Sequence, residues 1–229
     1  MAPTPHTPPV VIVGKPSPPE WRGLFVTLEG VRGSGKSSQA QAIKALLEAK
    51  GYGVVLTHEP DGCELGRRLA VLLNDGSIDL DPRAELFLFE AARAQHVAEV
   101  ILPALALHDV VICDRFADSS VAYQGHGRGL GLNHVRVANL VATQGLQPDL
   151  TILLNVGVDL GLTRKKGETA PDRIGRQSPD FHERVRRGFV ALATEEPERF
   201  VVVDATLSAE EITQRIWRRL EPLLPPRAA

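Results

Sequence analysis

Cysteine is scarce in this chain: Cys63 and Cys113 are the only two in 229 residues, and they form no metal-ligand spacing. They read as thiols of a reducing, cytoplasmic compartment, with Cys113 a small buried hydrophobe inside an apolar run. Charge of one sign is lacking too. Lys and Arg number 26 against 28 Asp and Glu, a net charge of −2, so no basic field points to nucleic acid. No apolar stretch approaches the length of a membrane span, which excludes a membrane partner from the expectation. Internal repeats are absent, and compositional bias is confined to the Pro-rich start, residues 1–20. Its Val10-Val11-Ile12-Val13 run is too short for a signal-peptide core and no small-residue cleavage site follows, so the segment reads as a flexible extension. A guanine-reading N-K-x-D motif is also missing, which argues against a GTP-dependent switch.

What is present suits one α/β domain over residues 21–229, with 43% hydrophobic content and enough length for a full core. Five short, β-branched segments bounded by breakers predict buried parallel strands: Leu24–Glu29, Val54–His58, Val110–Asp114, Leu150–Val156 and Arg199–Ala205. Helical patterns separate them, at Ser38–Lys50, Pro82–His108, Asn133–Gln144, Phe181–Thr194 and Ala209–Leu224. The alternation predicts an α/β fold of the P-loop NTPase type, a five-stranded parallel sheet with helices on both faces and right-handed crossovers. Ligands of such sheets gather at the carboxyl ends of the strands.

Gly30-Val31-Arg32-Gly33-Ser34-Gly35-Lys36-Ser37 fits G-x-x-x-x-G-K-[ST], between an expected strand and an expected helix. Glycines let the backbone curl with its N–H groups pointing at a phosphate, and the following helix aims its positive end at the same anion. The expected ATP contacts are Gly30, Val31, Arg32, Gly33, Ser34, Gly35, Lys36, Ser37 and Ser38. Lys36 would reach the terminal phosphates and the Ser37 hydroxyl would ligate Mg²⁺.

Val110 to Asp114 reads as a strand ending in a carboxylate, with Arg115 beside it. Asp114 at that place suits Mg²⁺, a helix cap being the plainer alternative. A guanidinium next to a metal-binding acid needs an anion, and a phosphate is its natural partner. If a helix starts at Asp118, then Ser120, Tyr123 and Gln124 share one face, a set costly in a core but suited to the edge of a heterocycle. Phe89 and Arg93 stand one helical turn apart on an otherwise apolar helix; by themselves they read equally well as a core aromatic with a snorkelling arginine.

These residues together resemble the thymidylate kinase family. The resemblance rests on the phosphate loop, the Glu59-Pro60 turn, Phe89-Glu90-Ala91-Ala92-Arg93, and above all Asp114-Arg115-Phe116 followed by Ser119-Ser120-Val121-Ala122-Tyr123-Gln124-Gly125. It runs in order from about Leu24 to Leu224 and implies transfer of the ATP γ-phosphoryl group to dTMP, giving dTDP. By the resemblance, Phe89 stacks on thymine, Arg93 hydrogen-bonds the base and Arg115 holds the dTMP phosphate. Ser120, Tyr123 and Gln124 line base and sugar, and Pro60 lies near the thymine methyl. Family members form homodimers through helices flanking the sheet, with the 82–108 helix as the counterpart here.

The resemblance also implies a lid over residues 162–177, carrying Arg164, Lys165, Lys166 and the Asp172-Arg173 pair. A charged loop between two helices suits that role, and closing it would neutralise phosphoryl charge and exclude water. Lys36, Arg115, Arg164 and Arg173 are the expected catalytic cations, and Gly33 together with a basic lid matches the bacterial subtype. Two positions depart from the family pattern. Arg32 replaces the usual acid of the phosphate loop, and so either turns outward or contacts a phosphate. His58 replaces the arginine of the R-E-P-G-G-T turn, with Asp61 an added acid. Another pyrimidine deoxynucleoside monophosphate as substrate, or a nucleotide-binding homologue without turnover, are the alternatives these departures raise.

Overall fold

The sheet contains five parallel strands in the order β2-β3-β1-β4-β5 in a computed structural model that describes residues 23–164 and 173–226. These are β1 (Leu24–Glu29), β2 (Val54–His58), β3 (Val110–Asp114), β4 (Leu150–Asn155) and β5 (Phe200–Asp204). The extension expected over residues 1–20, and Lys165, Lys166 and Asp172 of the expected lid, lie outside the described residues. Strand alternation sorts the apolar residues into two cores. Val26, Leu28 and Ile112 face one side with Ile43 and Leu47, whereas Phe25, Val111 and Cys113 face the other with Ile101, Leu105 and Phe116. Each such side chain taken fully out of water contributes about 1.5–3 kcal/mol. The sheet is therefore covered on both faces, as a parallel sheet requires.

β1 and β3 are buried nearly throughout, but the edge strands β2 and β5 are only partly covered, with Val202 half exposed. The expectation of five fully buried strands is corrected accordingly, because an edge has a neighbour on one side only. β4 stops at Asn155, and β5 spans one residue less at each end than expected. Register pairs Leu28 and His58 with Asp114, so the carboxyl ends of three strands form one rim.

Helix α1 runs Lys36–Ala49, two residues earlier than its apolar pattern suggested, so Lys36 and Ser37 belong to its first turn. Helix α2 (Glu64–Asn74) was not foreseen. Its cap is the Cys63 thiol, which accepts the Gly66 N–H at 3.3 Å, and cysteine is not among the residues that signal a helix start. Gly66 also weakens the helical signal, yet a Cβ there would lie 2.1 Å from the Pro60 carbonyl oxygen. The glycine lets α2 abut the Glu59–Pro60 turn.

The single helix expected over 82–108 divides into α3 (Pro82–His96), a π-helical turn (Val97–Ile101) and α4 (Leu102–Leu107). Pro103 explains the break: it offers no N–H, and its ring crowds the carbonyl one turn back, so the turn widens and Leu102 N–H bonds to Val97 O instead. After β3 come α5 (Ala117–Ser120), a second π-helical turn (Val121–Gly127) and α6 (Leu132–Thr143). Helices α7 (Val158–Arg164), α8 (Pro179–Glu195) and α9 (Ala209–Leu220) complete the described chain. The first residues of the expected lid are thus the end of α7.

Candidate active site

The phosphate loop bridges β1 and α1 at the rim. Its Lys36 Nζ is buried and donates to the carbonyls of Gly30 (3.1 Å) and Val31 (3.0 Å) and to Ser34 Oγ (3.3 Å). The loop thus wraps its own ammonium group. Gly33 has φ +75°, and a Cβ there would lie 2.0 Å from the Gly161 carbonyl oxygen in α7. No side chain fits at that position while α7 rests on the loop. Ser37 Oγ donates to Asp114 Oδ2 at 2.6 Å, and the other carboxylate oxygen, Asp114 Oδ1, is buried without a hydrogen-bond partner. A hydroxyl and a carboxylate with an unused oxygen suit a hard divalent cation whose remaining ligands are water and phosphate. No cluster of three or more His, Cys, Asp or Glu able to hold a metal occurs among the described residues. A cavity of about 740 Å³ opens here, lined by Gly33, Gly35, Lys36, Ser37, Ser38 and Asp114 among others.

A second cavity, about 220 Å³, adjoins it. Pro60, Phe89, Arg93, Arg115, Ser120, Tyr123 and Gln124, far apart in sequence, all line it. Arg32, Glu59 and Arg115 line both cavities and mark their junction. Arg32 therefore borders the site. The end of α5 and the π-helical turn that continues it keep Ser120, Tyr123 and Gln124 on one wall, and all three are buried.

Arg115 reaches the junction from a left-handed backbone, φ 71°. Its Nη1 donates to Gly30 O and Ser119 Oγ, both at 3.2 Å, and its guanidinium lies 5.2 Å from the Tyr123 ring centre. Burial opposes its charge, but Tyr123, Asp114 and Glu29 together hold its pKa above the ordinary value. Glu29 itself was not foreseen as a site residue, although it immediately precedes the loop. Its carboxylate accepts the N–H groups of Phe116 (2.8 Å) and Ser119 (3.2 Å) and the Ser119 hydroxyl (2.7 Å), tying the end of β1 to the start of α5. Burial, then the nearby Asp118 charge, raise its pKa to about 7 against the opposing pull of Arg115 and the hydrogen bonds.

Arg93 is almost wholly buried. It donates from Nε to Glu59 Oε2 (2.9 Å), from Nη1 to Glu90 Oε1 (2.6 Å), Ser120 Oγ (2.9 Å) and Asn139 Oδ1 (2.7 Å), and from Nη2 to Phe116 O (3.1 Å). Burial works against its charge, and Glu59 and Glu90 more than restore it. Glu59, Glu90 and Asn139 are further site residues that sequence reasoning missed; the Glu59-Pro60 turn and the one-turn spacing of Glu90 and Arg93 were the available signals. At the rim His58 Nε2 lies 3.3 Å from Asp61 Oδ1, a hydrogen bond that raises the histidine pKa and lowers that of the acid.

A scan against protein-family models matches residues 28–216 to the model described as thymidylate kinase. The chain belongs to the thymidylate kinase family. It is a nucleoside monophosphate kinase of the family that converts dTMP to dTDP. It is 50% identical over 210 residues to the thymidylate kinase of Desulfovibrio desulfuricans, covering 88% of this chain and 96% of that one. The Deinococcus radiodurans thymidylate kinase is 46% identical over 196 residues, covering 86% and 95%. A crystal structure of thymidylate kinase from Ehrlichia chaffeensis superposes with a TM-score of 0.70 at 32% identity, covering 86% of this chain and 98% of that one.

Against this thymidylate kinase frame, Arg164 and Arg173, the lid arginines expected to be catalytic, do not line the phosphate-loop cavity. Arg164 Nη1 donates to Ala205 O (2.9 Å), and Arg173 Nε donates to Leu73 O (3.0 Å) while its Nη2 lies 2.5 Å from Glu85 Oε2. Ile174, next to Arg173, lines the smaller cavity.

Proposed function

We propose that the larger cavity takes ATP with Mg²⁺, the smaller one takes dTMP, and the γ-phosphoryl group passes in line between them at the junction of Arg32, Glu59 and Arg115. The observation that carries this reading is the adjacency of a phosphate-loop cavity and a small cavity lined by the Phe89 ring and several buried polar groups. A phenyl face and convergent donors suit a pyrimidine. The acceptor is already a phosphate anion, so no general base is required; positioning and charge neutralisation suffice.

In this reading Ser37 and Asp114 hold Mg²⁺, which supplies neutralisation of the transferring phosphoryl charge. Lys36 exchanges its loop carbonyls for terminal phosphate oxygens, and the loop N–H groups of Gly30 to Ser38 hold the rest. Arg115 holds the dTMP phosphate, Phe89 stacks on the base, and Arg93, Ser120, Tyr123, Gln124 and Pro60 frame it. Arg164 and Arg173 are lid cations that must leave their present partners to act on phosphate, and Arg32 contacts a phosphate at the junction. Two buried free cysteines suit a cytoplasmic setting, and no helix of the described residues is long and apolar enough to cross a membrane. Exposed Phe87 on α3, with Val137, Leu140 and Val141 on the adjacent α6, supports a homodimer through these helices.

The test is ADP formation from ATP and Mg²⁺ against dTMP, dUMP, dCMP, UMP and dGMP. Preference for dTMP is expected. Preference for another monophosphate would make Arg32 and His58 determinants of a shifted specificity, and no turnover on any would overturn the catalytic reading.

A further inference from the structure

Glu85, on the first turn of α3, is a fully buried carboxylate that belongs to none of the roles above. Its Oε1 accepts from Gln124 Nε2 (2.7 Å) and Arg128 Nε (3.2 Å); its Oε2 accepts from Arg128 Nη2 (2.8 Å) and lies 2.5 Å from Arg173 Nη2. Burial alone would favour its neutral form, but the two guanidiniums and the amide reverse this and lower its pKa. An ionised carboxylate has no proton to give. The only end of the Gln124 amide it tolerates at hydrogen-bond distance is the –NH₂ end, since the flipped amide would set carbonyl oxygen against carboxylate oxygen. Gln124 also lines the smaller cavity, and with its –NH₂ end turned to Glu85 the end of the amide directed away from Glu85 is Oε1, an acceptor.

We propose that Glu85 is a positioning residue for acceptor selection: it fixes the Gln124 amide so that the cavity offers a hydrogen-bond acceptor and selects a pyrimidine with N–H at ring position 3. A base with a bare nitrogen at that position, as in dCMP, meets lone pair against lone pair and leaves the buried carbonyl unpaired. This rests on the assignment of the smaller cavity as the acceptor site. Arg128 and Arg173 serve the arrangement by keeping Glu85 ionised, and Arg173 carries Ile174 to the cavity wall as it does so.

The experiment compares kcat/KM for dTMP, dUMP and dCMP in the full-length protein, in Glu85→Gln, Glu85→Asp and Gln124→Met, and in the Glu85→Gln/Gln124→Met double variant. Glu85→Gln frees the amide to flip and should cut the dTMP:dCMP preference by about 10-fold or more, while the dTMP:dUMP ratio stays put because both bases carry the N–H. Glu85→Asp keeps a negative charge for both arginines but cannot reach Gln124, and should shift the ratio the same way. The double variant should lose no more than the larger single loss. A parental dTMP:dCMP ratio in either folded Glu85 variant, additive losses, or parallel movement of dTMP:dUMP would overturn the inference. Should neither Glu85 variant fold, hydrogen exchange of the Gln124 side-chain amide in the parent decides: slow exchange supports the bond to Glu85 and fast exchange overturns it. A parent that does not prefer dTMP to dCMP would overturn the acceptor assignment instead, before any variant is made.

Discussion

The two cavities of this site hold their shape by different means. The larger, proposed for the donor, is a wide opening of about 740 Å³ built around the phosphate loop, and its lysine is held by carbonyls of the loop it belongs to. The smaller, proposed for the acceptor, is a recess of about 220 Å³ whose walls include side chains braced by buried charge, Arg93 by Glu59 and Glu90, Gln124 by Glu85. A backbone cradle recognises phosphate, which every nucleoside triphosphate shares. Telling one base from another needs donors and acceptors with fixed direction, and buried ion pairs supply that direction at the expense of desolvation.

The comparison is broken most sharply at Lys36. Lys36→Ala should reduce turnover by about 1,000-fold or more while dTMP binding, measured by calorimetry, stays near the parental value. Parental activity would remove the phosphate-loop role. Arg115→Ala comes next, expected to weaken dTMP by about 2–4 kcal/mol with the KM for ATP little changed; a loss confined to ATP would reassign Arg115 to the donor side. Phe89→Ala should cost about 1 kcal/mol in dTMP affinity and narrow the choice between bases, and identical selectivity would exclude stacking at that position.

The remaining effect is on stability. Glu29 in the folded protein binds its proton up to about pH 7, whereas the unfolded chain releases it near the ordinary glutamate value of 4.5. The folded state therefore holds more protons across that window, and the stability this group contributes falls as pH rises through it, then levels off. Urea midpoints between about pH 5 and pH 8 should decline more in the parent than in Glu29→Gln. Equal slopes would show that Glu29 titrates as an ordinary carboxylate.

Much of the frame was legible because it is local. β1, β2 and β3 occur at the expected residues, since a short β-branched run between breakers has few other fates. Ser120, Tyr123 and Gln124 were grouped by helical spacing and do share a cavity wall, although a π-helical turn carries Tyr123 and Gln124 there. Helix α2 escaped because its start is a cysteine cap and its Gly66 is explained only by the Pro60 carbonyl packed against it. Glu85, Glu90 and Asn139 escaped because a carboxylate or amide on an amphipathic helix looks solvent-facing until its partner is known.

By itself, then, the order of residues determined the phosphate loop, the strand–helix alternation and the family, all of which depend on spacing within one or two elements. Tertiary structure decided that Arg32 lies at the junction of the two cavities, that Arg164 and Arg173 rest on Ala205, Leu73 and Glu85, and which end of Gln124 meets Glu85. Those outcomes depend on groups brought together from distant parts of the chain, where burial makes every donor and acceptor find a particular partner.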